Sequence, residues 1–239
     1  MKLEVIAFDA DDTLWENEGF FRQIEADVGE LLSPFCTPDA FSRRCRKAEE
    51  ANIPLYGYGL KGFTLSMLEA AVDLSGGRLP ARTAGDIIDA GKAMLRHPVD
   101  LLPDVEETLD ALAGRYRLIV ITKGDLYHQE HKIEASGLSR FFDAEHVVSE
   151  KDAALYGRVF AAEGPGAHRA AMVGNSPRSD ILPALAAGAF AVHVPRPIEW
   201  ERDAADIPKD TPRYFRVERM GELNDVIRHI EAAENINFR

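Results

Sequence analysis

The chain predicts an α/β protein with a doubly wound, mostly parallel sheet and an inserted block of α-helices. Three observations carry this reading. Residues 3–8 form a short apolar run that ends abruptly in Asp9, Ala10, Asp11, Asp12 and Thr13. Residues 17–98 hold helical periods and no convincing strand. From residue 99 onward, strand-like apolar runs alternate with helical ones.

Leu3 to Phe8 reads as a strand covered on both faces, since strands of parallel sheets are buried on both sides and lack strict polar alternation. After Leu14 and Trp15, helical periods run over about 17–33, 38–50, 62–75 and 83–97. Thr37 before Pro38 marks a helix start, Gly76 and Gly77 follow a helix end, Thr83 reads as a cap and Pro98 as a stop. Pro103 opens a helix to Gly114, and Arg117–Thr122 is a strand. There follow a helix from about 125 to Gly137, the strand Glu145–Ser149, a helix from 152, the strand Ala170–Val173, a helix ending at Gly188 and the strand Phe190–Val194. Trp200–Lys209 reads as an excursion, Tyr214–Val217 as an edge strand and Glu222–Ala233 as a closing helix. Alternation of this kind builds a sheet through right-handed crossovers, and the first strand completes it. The expected organisation is a catalytic core of residues 1–16 and 99–239 and an inserted helical domain of residues 17–98.

The 239 residues, 46% hydrophobic, suffice for a packed core. With 28 basic against 40 acidic residues the net charge is -12, which disfavours nucleic acid or an anionic membrane as partner. A small anion can still bind through a local cationic patch. Cys36 and Cys45 offer neither metal spacing nor a disulfide framework, so reduced thiols are expected. The first apolar stretch is short and interrupted by Glu4 and Asp9, and no segment reaches the length of a membrane span. A soluble, cytoplasmic protein is expected.

The chemistry concentrates at strand ends, where open α/β sheets place their ligands. Crowded carboxylates at Asp9, Asp11 and Asp12 repel one another unless a cation neutralises them, so the tip suits a hard metal such as Mg²⁺. The second strand ends at Thr122, the third just before Lys151, and the fourth at Gly174, Asn175 and Ser176, with Asp180 a few residues on. Phosphoryl transfer needs a nucleophile, a proton donor, cations and donors to phosphoryl oxygens, and this set contains all four. Lys151 and Thr122 would hold the transferred oxygens, and Gly124 after Lys123 lets backbone N–H groups approach an anion. Asp180 also suits a helix N-cap. His128 and His131, three apart on a predicted helix, read as a solvated face and not as a metal clip.

In combination these segments resemble the haloacid dehalogenase-like hydrolase superfamily. AFDADDTLW is similar to its first motif, ITKG to its second, SEKD to its third and VGNSPRSD to its fourth, in the right order. The resemblance implies a Rossmann-like core with a helical cap and a phosphatase that hydrolyses a small phosphorylated metabolite through an aspartyl-phosphate. It implies Asp9 as nucleophile and Asp11 as general acid, then base. It also implies Mg²⁺ held by Asp9, the Asp11 backbone carbonyl, Asp180 and Asn175. Asn175 stands where many relatives carry Asp, and Asp12 where many carry Gly. Dehalogenases of this superfamily lack an acid two residues after the nucleophile, because a halide leaves without a proton; Asp11 points to a phosphate ester.

The cap of such enzymes selects substrate, and the segment Asn52 to Phe63, with Tyr56, Tyr58 and Lys61, is the candidate region; Phe20 and Phe21 either line its entrance or pack the cap. A phosphomutase shares the same core residues, and a phosphonatase would need a cap lysine such as Lys61. A phospho-receiver or another non-catalytic phosphate-binding module is the alternative of a different class. Receiver modules lack a large helical insertion after the first strand.

Overall fold

The computed structural model describes residues 2–198, 200–208 and 211–236. Among these, six strands form one sheet: β1 (Val5–Phe8), β2 (Arg117–Lys123), β3 (Ala144–Val148), β4 (Ala170–Gly174), β5 (Phe190–His193) and β6 (Tyr214–Arg216). Helices α1 (Glu18–Leu31), α2 (Pro38–Tyr56), α3 (Leu60–Leu74) and α4 (Ala81–Leu95) follow β1. Later come α5 (Val105–Leu112), α6 (Leu126–Ala135), α7 (Ala153–Glu163), α8 (Leu182–Ala186) and α9 (Leu223–Ile236). The chain divides into two compact units, one of Met1–Glu18, Val99–Thr122 and Glu130–Arg239, the other of Gly19–Pro98 and Lys123–Gln129. The segment from Lys123 to Gln129, expected within the core, thus groups with the helical unit.

The strand order is β3-β2-β1-β4-β5-β6. β1 pairs in parallel with β2 on one side and β4 on the other, with Phe8 level with Val120 and with Val173. The chain first winds outward from β1 and then returns beside it. That reversal leaves a crevice at the carboxyl ends of β1 and β4, where such sheets bind ligands.

The continuous apolar character of β1 follows from burial on both faces. Ile6 and Phe8 join Trp15, Leu109, Val120, Leu223 and Ile227 in one core, whereas Val5 and Ala7 join Tyr156, Phe160, Met172 and Ile181 in the other. Successive strand residues alternate between the two faces, so one four-residue strand supplies both layers.

Several boundaries differ from the expected ones. α2 continues through Asn52 to Tyr56 with Pro54 in its last turns and closes at Gly57, whose φ of 75° is left-handed and whose N–H bonds Ile53 O at 2.8 Å. Proline normally breaks a helix interior, but near the end few bonds remain to lose. The candidate segment from Asn52 to Phe63 therefore has only Gly57, Tyr58 and Gly59 outside helices. Asn52 is buried and donates to Ser66 Oγ and Glu69 Oε2, a structural role. α4 starts at Ala81 behind Pro80, which places Thr83 inside the helix and not at its cap. Thr37 does cap α2, accepting from Ala40 N. β3 starts and ends one residue early, α5 begins after a left-handed Asp104, and Lys209 of the expected excursion lies outside the described residues.

The helical unit has its own core of Val28, Leu32, Phe41, Leu60, Phe63, Met67 and Ile87, among others. Phe21 packs on Phe63 and Phe20 on His97, so both phenylalanines serve packing. Cys36 and Cys45 are free thiols. No helix among the described residues is long and apolar enough to cross a membrane.

α3 and α4 approach closely at Gly91, where an added Cβ would stand 2.4 Å from Thr64 Oγ1. Overpacking costs about 1–3 kcal/mol, offset by about 1 kcal/mol of helix propensity. Gly91→Ala is expected to lower the unfolding free energy in urea by about 1 kcal/mol, and adding Thr64→Ala to recover most of it. A double variant no more stable than Gly91→Ala alone would contradict this contact.

Candidate active site

Asp9 follows the last residue of β1, its backbone N–H bonding Val173 O of β4 at 2.9 Å. Its carboxylate meets Lys151, with Nζ 2.5 Å from Asp9 Oδ1 and 2.8 Å from Asp180 Oδ1. All three are nearly excluded from solvent, Asp180 completely. Burial works against the Lys151 charge, yet Asp180 and Asp9 outweigh it and hold the amine above the ordinary lysine range. Burial, helped by the charges of Asp180 and Asp11 and opposed by Lys151, raises Asp9 to about 6. One ammonium between two carboxylates leaves the cluster one negative charge in excess.

Local structure fixes each member. Lys151 stands just before Asp152, which caps α7 by accepting from Leu155 N. Asp180 lies in a π-helical turn, Pro177–Ile181, and accepts from Ser176 N through Oδ2 at 3.0 Å. The cap of that turn is Ser176, which accepts from Ser179 N, so the N-cap reading of Asp180 does not hold. Gly174 is required beside it, because a Cβ there would lie 2.3 Å from Asp180 Oδ2. Tyr156, fully buried, donates to Ser179 O, and Asp203 accepts from Ser176 Oγ.

Thr13 is the hub that sequence reasoning missed. Its hydroxyl lies 3.1 Å from Asp9 Oδ2 and 3.3 Å from Asn175 Oδ1, and accepts from Asn175 N. Its place in the same acidic segment, four residues after Asp9, is the signal that could have found it. His193 Nε2 in turn pairs with the Asn175 carbonyl. Asn175 thus joins the cluster by way of Thr13.

The neighbouring acids separate. Asp11 turns its Oδ1 to Lys132 Nζ at 2.5 Å and to Trp15 Nε1 at 2.7 Å. It is still near enough for its charge to raise Asp9. Asp12, at a left-handed φ of 59°, accepts from the backbone N–H groups of Asn17 and Glu18 and so caps the entry to α1. Burial pushes its carboxyl up to about 7 against those bonds.

Thr122 is buried at the end of β2, two residues past the Val120–Phe8 pair. The remaining expected contacts, Tyr56, Tyr58, Lys61, Lys123 and Gly124, belong to the helical unit. There Lys123 lies over the Tyr58 ring, 4.2 Å from its centroid, and Lys61 pairs with Asp125 at 2.8 Å. Tyr56 is exposed. Gly124 has a φ of 136°, and a Cβ there would stand 2.8 Å from Gln129 Nε2, which donates to Lys123 O. His128 is buried and His131 exposed, so the solvated face expected of the pair holds for His131 and is corrected for His128.

Among the described residues, no group of three or more His, Cys, Asp and Glu side chains gathers as a metal cage. The donors of the cluster are nevertheless all hard oxygens, from Asp9, Asp180 and Asn175, with net negative charge. That set fits a hard divalent cation bound by few carboxylates.

Residues 3–188 match the model of a haloacid dehalogenase-like hydrolase. No curated protein matches. Among solved structures, a haloacid dehalogenase-like family hydrolase from Xanthomonas campestris is 39% identical, with a TM-score of 0.86 over 97% of each chain. YfnB from Bacillus subtilis, in a form bound to magnesium, is 16% identical with a TM-score of 0.66, over 95% of this chain and 99% of that one. A 2-haloacid dehalogenase from Pseudomonas syringae is 21% identical with a TM-score of 0.61, over 95% and 99%. The parallel sheet and the family match together define a hydrolase with a Rossmann-like α/β core. The chain belongs to the haloacid dehalogenase-like hydrolase family.

The Asp12 carboxyl has a folded-state pKa raised above its ordinary 3.8, so the folded state binds more protons than the unfolded one between about pH 4 and pH 7. Its contribution to stability therefore falls as pH rises through that window. Asp12→Asn is expected to gain stability relative to the parent between pH 4 and pH 7 in denaturant titrations. A stability difference independent of pH would refute the assignment.

Proposed function

We propose that this hydrolase is a Mg²⁺-dependent phosphatase acting on a small phosphorylated metabolite in the cytoplasm, and that Asp9 attacks phosphorus to form an aspartyl-phosphate. The observation that carries the reading is Asp11, an acid two residues beyond Asp9 and held in place by two donors. A halide leaves without a proton, whereas an alkoxide needs one, so a positioned acid supports an ester substrate over a haloacid.

In this reading Asp9 is the nucleophile, kept oriented by Lys151 and Thr13. Asp11 protonates the leaving oxygen and then takes a proton from the water that releases phosphate. Lys151 and Thr122 offset and hold charge on the transferred oxygens. Asp9, Asp180, Asn175 and the Asp11 carbonyl would hold Mg²⁺, which spreads the negative charge of the phosphoryl group. Substrate selection falls to the helical unit, with Tyr56, Tyr58, Lys61, Lys123 and Gly124 as candidates. The ion pair of Lys61 with Asp125 speaks against a Schiff-base role in phosphonate cleavage. A chain with two cysteines and no disulfide framework suits a reducing compartment such as the cytoplasm.

A panel of phosphate esters assayed with and without Mg²⁺ tests this, beside Asp9→Asn. Metal-dependent phosphate release is expected, reduced at least about a thousandfold in the variant. Equal release from both proteins would end the nucleophile assignment, and halide release from haloacids without phosphate release would favour the dehalogenase alternative. Lys61→Ala is expected to reorder the KM values across the panel; an unchanged order would remove it from substrate selection.

A further inference from the structure

We propose that Lys132 and Trp15 are positioning residues for Asp11, holding its carboxylate by Oδ1 in the direction along which it transfers a proton. The proposal rests on the phosphatase reading and assigns two residues to it that the four sequence motifs do not single out as reacting groups.

The geometry is specific. Lys132 Nζ and Trp15 Nε1 converge on one oxygen of Asp11 from different elements, 121 residues and four residues away in sequence. Trp15 is 1% exposed and packed among Leu14, Leu109 and Phe8, so its N–H is fixed in direction. The Lys132 side chain is 12% exposed and is followed by the fully buried Ile133, which anchors that turn of α6. Nζ also lies 3.4 Å from Asn17 Oδ1. By contrast, the pairs Lys92–Asp89 and Arg228–Asp225 are more than half exposed on both sides, the kind of surface contact that contributes little.

The chemistry of the two partners sets the consequence. An indole N–H only donates, and an ammonium only donates. Both bonds end on Oδ1, so together they fix the plane and direction of the carboxylate from which the proton is given to the leaving oxygen. As the bond from phosphorus to the leaving oxygen breaks, that proton passes to the leaving oxygen, giving an alcohol and the Asp11 carboxylate. Lys132 stabilises the new charge in a partly desolvated setting. The carboxylate next takes a proton from the water that attacks the aspartyl-phosphate, which releases inorganic phosphate and restores the acid. Every proton is accounted for without a further reactant.

The test compares Lys132→Met and Trp15→Phe with the parent, in the full chain, on p-nitrophenyl phosphate and on a simple alkyl phosphate. The parameter is kcat/KM, which reports the step that expels the leaving group. A nitrophenolate leaves without help from an acid, whereas an alkoxide does not. Lys132→Met is expected to lower kcat/KM for the alkyl ester about tenfold more than for the aryl ester, and Trp15→Phe to act in the same direction by a smaller factor. Thermal unfolding identifies a variant that has lost its fold, and either variant alone decides the matter. Equal losses on both esters, or none, would overturn the proposal while leaving the phosphatase reading intact. A parent enzyme that releases phosphate from neither ester would remove both.

Discussion

The buried bridge of Lys151 to Asp9 and Asp180 is the constraint on which the strand-end cluster depends. It joins residues 142 and 29 positions apart, from the ends of three strands, through a single amine with almost no access to water. Breaking such a buried pair from one side costs about 3–5 kcal/mol, because the remaining charge has no compensation. The surrounding details serve it. Gly174 leaves room for Asp180, Ser176 caps its turn, and Tyr156 and Asp203 hold the serines of that turn.

Three carboxylates within four residues are tolerated because each has a different partner. Asp9 faces Lys151, Asp11 faces Lys132, and Asp12 faces the first amides of α1. Repulsion at the strand tip is thereby divided among three separate sets of partners, two of them cationic and one made of backbone amides. The left-handed backbone at Asp12 makes the division possible, since it turns that side chain back toward Asn17 and Glu18. Asp tolerates this conformation better than most residues.

Much of the sheet was legible because β1, β2 and β4 are buried on both faces and show uninterrupted apolar runs. Asp9, Lys151 and Asp180 were legible because charged residues at such strand ends have few structural reasons to exist. The end of α2 and the start of α4 differ from the reading: the helical period expected to stop near residue 50 runs to Tyr56, and Thr83, which looks like a cap in sequence, lies inside a first turn. The roles of Thr13, Trp15 and Lys132 escaped because they are relational. A hydroxyl, an indole or a surface-patterned lysine gains its meaning only from the carboxylate that folding brings to it.

The margins of the sheet have a consequence of their own. β6 is three residues long and ends in Arg216, which pairs with Glu218; β3 carries His146 paired with Glu163 of α7. A strand margin with open amides and carbonyls is a template on which a second molecule can add, and short or charged borders blunt it. Short or charged borders of this kind disfavour edgewise addition, and they do so without drawing on any residue of the crevice.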